Sequence, residues 1–203
     1  MSLDVAKVRA NLERVRERLG PDVEILAAVK YLDADQLPAL SEAGITLVGE
    51  NRAQDLAAKQ EAHGGLFEWD FIGALQSRKV KDVASRARLI HSLASDSALA
   101  KLEANPVPEV LVQVNVAGEE GKAGIAPAEL EDFIARCSVT VSGLMTMPPF
   151  ADDAEQSRRH FARLAELAAE HGLRRLSMGT TQDYWVAAEE GATIVRLGSA
   201  LYS

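Results

Sequence analysis

Apolar residues recur along the chain in two alternating rhythms. From Val5 the spacing is helical: Val5, Val8, Leu12, Val15 and Leu19 fall on one face at steps of three and four. Gly20-Pro21 ends that segment. A short apolar run follows, EILAAVK (24–30), whose length and flanking breakers predict a buried strand. The alternation then repeats. Further strands are predicted at 46–51, 68–73, 89–93, 109–115, 140–146, 175–179 and 193–198, with helical stretches between them. The longest helical stretch, Asp152 to His171, carries Phe161, Leu164, Leu167 and Ala168 on one face and stops at Gly172.

Strands alternating with helices predict a parallel sheet with its helices outside. Eight strands, several of them apolar nearly throughout, predict an α/β fold: one (β/α)8 TIM barrel domain spanning 1–203, with an extra N-terminal helix. The competing topology is an open doubly wound sheet, which often carries a glycine-rich loop after its first strand. Here that strand runs into KYLDAD instead. No helix is expected after the eighth strand, because the chain ends at Ser203; the first helix is expected to cover that gap.

Composition narrows the function. The chain has 203 residues, 47% apolar and 26% charged, an ordinary globular balance. It holds no apolar run long enough to span a membrane and no signal-like block at its start, so a cytoplasmic location is expected. One cysteine, Cys137, excludes an internal disulfide and a multi-cysteine zinc site. The net charge of -8 argues against generic nucleic-acid binding. Any anion site must therefore be local.

In a parallel barrel the site lies at the C-terminal ends of the strands. Lys30 closes the first apolar run. Partial desolvation there would favour a free amine able to form Schiff bases with carbonyl groups, although a snorkelling strand-end lysine is an equal reading. Arg196 is the only arginine inside a predicted strand's apolar core, and it needs an anion or an acceptor. An internal salt bridge to Glu50 is the alternative. Ser177, Gly179, Thr180 and Thr181 end strand seven, while Gly198 and Ser199 end strand eight; barrels often bind phosphate at these two loops. Loop and capping chemistry would use the same residues. Asn51 ends strand two and could meet a ligand oxygen or cap the next helix.

Other constellations fail. GEEGKAG (118–124) lacks the first glycine of a P-loop, with Val116 in its place, and has Ala123 where Ser or Thr is needed. His63, His91, His160 and His171 lack metal-ligand spacing. Trp69 and Trp185 read as packing residues.

Several segments together resemble a known family: AAVKY (27–31), VGENRAQDLAAK (48–59), FIGALQSRKVK (71–81), LVQVNVAGEEGKAGI (111–125), SGLMTMPP (142–149), LSMGTTQD (176–183) and IVRLGSALYS (194–203). They are similar to the YggS/PROSC family of pyridoxal 5'-phosphate homeostasis proteins, whose fold resembles the N-terminal barrel of alanine racemase. The resemblance implies pyridoxal 5'-phosphate (PLP) held as a covalent aldimine on Lys30. It implies Asn51 near the ring hydroxyl and Arg196 at the ring nitrogen. It also implies Ser177, Gly198 and Ser199 at the phosphate, with Thr181 a further ligand. Met145 and Met178 fall near the pocket or in the core. Three departures stand out. Asp70 stands where the family usually has His, Thr180-Thr181 replace Met-Ser, and the chain ends in LYS.

The implied function is intracellular vitamin B6 homeostasis by a monomer without catalytic turnover. PLP-dependent apo-enzymes are the implied recipients, with neither nucleic acid nor membrane as a partner. The alternative is a small PLP-dependent amino-acid racemase. Racemisation needs a base on each face of the substrate carbon. Lys30 could serve one face, but Tyr31, Tyr184 and Tyr202 are the only tyrosines available for the other, and the racemase's second domain is not expected here. An aldolase-like use of Lys30 finds no support in the flanking motifs.

Overall fold

A computed structural model describes residues 3–202. The chain opens with helix α1 (Val5–Arg16), whose first turn is capped by the Asp4 carboxylate accepting from the Ala6 and Lys7 amides at 3.0 and 3.2 Å. Eight strands follow: β1 (Glu24–Ala28), β2 (Leu47–Glu50), β3 (Glu68–Phe71), β4 (Leu89–Leu93), β5 (Glu109–Gln113), β6 (Val141–Met145), β7 (Arg175–Ser177) and β8 (Ile194–Leu197). They pair in sequence order, all parallel, and β8 closes onto β1 with Leu26 opposite Arg196. The expected eight-stranded barrel is the observed one.

Helices α2 (Leu37–Glu42), α3 (Ala53–His63), α4 (Val80–Ala84), α5 (Asp96–Leu102), α6 (Leu130–Ala135), α7 (Arg158–Glu170) and α8 (Tyr184–Glu189) fill the connections between strands. One expectation fails at the end of the chain. A one-turn helix, α9 (Ser199–Tyr202), does follow β8. It lies against α1, where the Asn11 amide donates to the Leu201 carbonyl at 3.2 Å. The two helices together close the barrel's outer ring.

Strand periodicity divides the core into two clusters. Outward residues such as Ala27, Val48, Trp69, Ile90, Val110, Leu144, Leu176 and Val195 pack under Leu40, Leu56, Phe133, Phe161 and Leu164 of the helices. Inward residues Leu26, Leu47, Leu89, Leu111, Met145 and Ile194 form a separate plug inside the barrel. Gly49 permits that plug to close, because a Cβ there would come within 2.5 Å of Leu26 Cδ2. Met145 and Met178 are both buried core residues. Two positions further along, the same inward parity turns polar, with His91 after Leu89 and Arg196 after Ile194.

The plug should carry much of the stability. Leu26→Ala removes a fully buried side chain and is expected to cost about 2–5 kcal/mol in denaturant unfolding. A loss below about 1 kcal/mol would mean that the interior collapses around the gap.

Candidate functional site

The strand ends are shorter than the sequence pattern implies, and this changes the setting of Lys30. β1 stops at Ala28, so Lys30 lies beyond the strand and is exposed. The desolvation expected of it is therefore absent. Its Nζ instead sits 4.8 Å from the centre of the Tyr31 ring, itself 86% exposed. Lys30 and Tyr31 stand at the mouth of a cavity of about 470 Å3. That volume is ample for a small cofactor. Arg196 reaches it from inside the barrel, while Thr181 lines it from the loop after β7, Gly198 from the end of β8, and Ser199 and Tyr202 from α9. The sequence-predicted Lys30, Thr181, Arg196, Gly198 and Ser199 thus share one cavity.

Arg196 is the central group. Its side chain is buried in the barrel, where Nη1 donates to Ser177 Oγ at 2.5 Å and Nη2 to the Thr146 carbonyl at 2.9 Å. No ion pair to it occurs among the described residues. Glu50, the carboxylate that could have neutralised it, is paired instead with Lys59 of α3. Burial pulls Arg196 down to about 10, with the charge of Asp183 acting the other way. Asp183 is itself engaged, accepting from the Thr180 amide at 2.7 Å and the Thr180 hydroxyl at 3.1 Å. These bonds shape the loop after β7.

Two sequence-predicted residues lie off the cavity wall. Ser177 is fully buried behind Arg196, and its hydroxyl also lies 2.8 Å from His91 Nδ1. Asn51 is half-buried just beyond β2, where its backbone N–H donates to Glu50 Oε2 at 2.8 Å. Thr181 is on the wall, and its Oγ1 accepts from the Ala200 amide at 3.3 Å.

Sequence reasoning missed the role of Tyr202 and of the polar residues beneath Arg196. The Tyr202 hydroxyl donates to the Ala28 carbonyl at 3.3 Å. Burial raises its pKa, and the Glu50 charge adds to the rise. Beneath Arg196, His91 Nε2 lies 3.0 Å from Asp70 Oδ2. Asp70 is gripped by Arg88 at 2.9 and 2.8 Å, and Arg88 also donates to Glu24 at 2.8 Å. The available signal was parity: Asp70, His91, Ser177 and Arg196 are polar residues set within apolar strands.

Comparisons with known proteins identify the family and the fold. The sequence profile of the alanine racemase N-terminal domain matches residues 3–203. The chain is 37% identical over 217 residues to the pyridoxal phosphate homeostasis protein of Aquifex aeolicus, covering 98% of this chain and 95% of that one. The structure of PipY of Synechococcus elongatus with PLP bound superposes with a TM-score of 0.84 at 30% identity, covering 97% of this chain and all of PipY. The lysine/ornithine decarboxylase of Vibrio vulnificus shares the fold, with a TM-score of 0.74 at 15% identity, over 98% of this chain and 62% of the decarboxylase.

The buried histidine sets a pH dependence. Burial lowers the pKa of His91; Asp70 opposes that shift, and the charges of Arg196 and Arg88 reinforce it. The unfolded chain takes up a proton near its ordinary value of about 6.5 while the folded chain does not. Stability is therefore full above that pH and falls as pH drops below it. The melting temperature should decline between about pH 7 and pH 5, with a shallower decline in His91→Gln. Equal slopes in the two proteins would show that His91 titrates alike in both states.

Proposed function

Because the chain belongs to the family of pyridoxal phosphate homeostasis proteins, built on the alanine racemase N-terminal barrel, we propose that its cavity binds PLP and that the protein holds this cofactor without turning it over. The observation that carries the reading is Arg196: a buried cation without a carboxylate partner, facing a cavity that also holds an amine and a glycine-hydroxyl rim. An aldehyde, a ring nitrogen and a phosphate match those three features.

Each residue then has a role. Lys30 would supply the amine that holds the cofactor through its aldehyde. The exposed position of Lys30 leaves the linkage open to water, which favours exchange over retention. Arg196 can only donate, so it pairs with an unprotonated ring nitrogen and weakens the ring as an electron sink. Thr181, Gly198 and Ser199 would receive the phosphate, while Asn51, which lies off the cavity wall, would make no contact with the cofactor. Ser177, sealed behind Arg196, supports the guanidinium rather than the phosphate.

Absence of turnover follows from the second face. Racemisation needs a base opposite Lys30. The Tyr202 hydroxyl is occupied by the Ala28 carbonyl and held in its protonated form. The protein would act as a cytoplasmic monomer, releasing cofactor to PLP-dependent apo-enzymes.

Borohydride reduction after loading with PLP should fix the label on Lys30, and Lys30→Ala should fold yet stay colourless. A label on another lysine would move the attachment point. Incubation with L- and D-alanine in deuterated water should give no α-deuteration at enzymic rates (~1–1000 per second). Rapid deuteration with inversion would make the protein a racemase.

A further inference from the structure

Four polar side chains run in contact through the barrel interior, from beneath the cavity toward the N-terminal ends of the strands. Arg196 comes from β8, Ser177 from β7, His91 from β4 and Asp70 from β3. All four are buried, and the last three lie outside the cavity wall. We infer that Asp70, His91 and Ser177 form a one-directional hydrogen-bond relay that fixes the Arg196 guanidinium, which makes Asp70 and His91 positioning residues for the cavity. Its use in cofactor binding rests on the proposed function; its existence does not.

The direction of every bond follows from donor and acceptor chemistry. Arg196 has no acceptor, so Nη1 must donate to Ser177 Oγ. Asp70 is held as a carboxylate: burial opposes its charge, but the hydrogen bonds from Arg88 and His91, with the charge of Arg88, hold its pKa below the ordinary value. A carboxylate can only accept, so His91 carries its proton on Nε2. A neutral imidazole then offers Nδ1 as an acceptor. Ser177, whose oxygen already accepts from Arg196, has its hydroxyl proton free to meet it. Each link leaves the next with one available role.

The alternative proton arrangement is disfavoured from several sides. A cationic His91 would lie between the guanidinium of Arg196 and that of Arg88, with Asp70 as its single anionic neighbour. It would also turn Nδ1 into a second donor aimed at Ser177 Oγ, and the hydroxyl proton would lose its acceptor. The far end of the relay is held from the opposite rim. Arg88 grips Asp70 with two bonds and reaches Glu24 at 2.8 Å and Glu68 at 3.4 Å. Asp70 therefore cannot rotate away from His91 without breaking the Arg88 pair.

Such a relay has a purpose at Arg196. A long side chain with two hydrogen bonds to neutral oxygens could swing toward the nearby charge of Asp183. Polarisation of Ser177 through His91 strengthens the oxygen that receives Nη1. The guanidinium is then held in place before a ligand arrives, which reduces the ordering cost of binding.

The cofactor-free protein provides the first test, by nitrogen-15 NMR at neutral pH. His91 should show a protonated Nε2 and an unprotonated Nδ1, and should not titrate between about pH 5 and 8. The Nη protons of Arg196 should exchange slowly in the wild type and be lost to rapid exchange in Ser177→Ala. A proton on Nδ1, or an Arg196 signal unchanged in Ser177→Ala, overturns the relay whether or not PLP binds. Cofactor affinity provides the second test. Ser177→Ala should weaken PLP binding about tenfold and Asp70→Asn about three- to tenfold. Because Asp70 acts through Ser177, the double variant should bind within about twofold of Ser177→Ala alone. Fully multiplied losses would show two independent structural effects and contradict the relay. If Asp70→Asn does not fold, the wild-type imidazole and Ser177→Ala signals decide alone. A wild type that fails to bind PLP contradicts the proposed function and the relay's use there.

Discussion

A guanidinium buried inside a barrel is the constraint from which the site's organisation follows. Taking a charge of that size out of water costs several kcal/mol, and ordinary structures offset it with a carboxylate. Arg196 has two neutral oxygens instead. Its neighbours are arranged around that deficit. Ser177 is backed by His91 and Asp70, Thr146 offers its carbonyl, and Asp183 contributes charge without contact. Arg196 lines a cavity, and Lys30 lines the same cavity.

The architecture separates stability from chemistry along the barrel axis. Near the N-terminal ends, inward positions carry Leu26, Leu47, Leu89, Leu111 and Ile194, a dry plug. Further along, the same parity carries His91 and Arg196. Arg196, Ser177 and His91 lie above the plug, while Asp70 reaches down beside Leu89 to Arg88 at the opposite rim. Low dielectric strengthens each bond in the layer and raises the cost of leaving any member unpaired. The decarboxylase barrel of the same fold shows that this scaffold is not tied to one protein.

Much of this was legible in the chain before the coordinates. Alternating apolar runs and helical stretches specify eight parallel strands, because each strand buried on both faces must be apolar nearly throughout. Arg196 stood out as a charge inside such a strand. Lys30 was read as a partly desolvated strand-end lysine, but its burial was misjudged: β1 ends at Ala28, and the fully buried Val29 makes the last backbone bond, to Gly49, before Lys30 turns out to solvent. Ser177 and Asn51 were assigned to a ligand by their place at strand ends, yet strand length alone cannot say whether a side chain points into a cavity or behind its wall. α9 was missed because a single turn is too short to show periodicity. The relay was invisible for a different reason. Asp70 and His91 are 21 residues apart, and Ser177 lies 86 residues beyond His91, so only barrel closure brings them together.

The most direct measurement is a crystal structure of the protein grown with PLP. The expected result places the cofactor's ring nitrogen within hydrogen-bond reach of Arg196 and its phosphate against Thr181, Gly198 and Ser199. The contacts of Arg196 with Ser177 and Thr146 should stay as they are. Cofactor bound elsewhere, with Arg196 swung onto Asp183, would contradict the account.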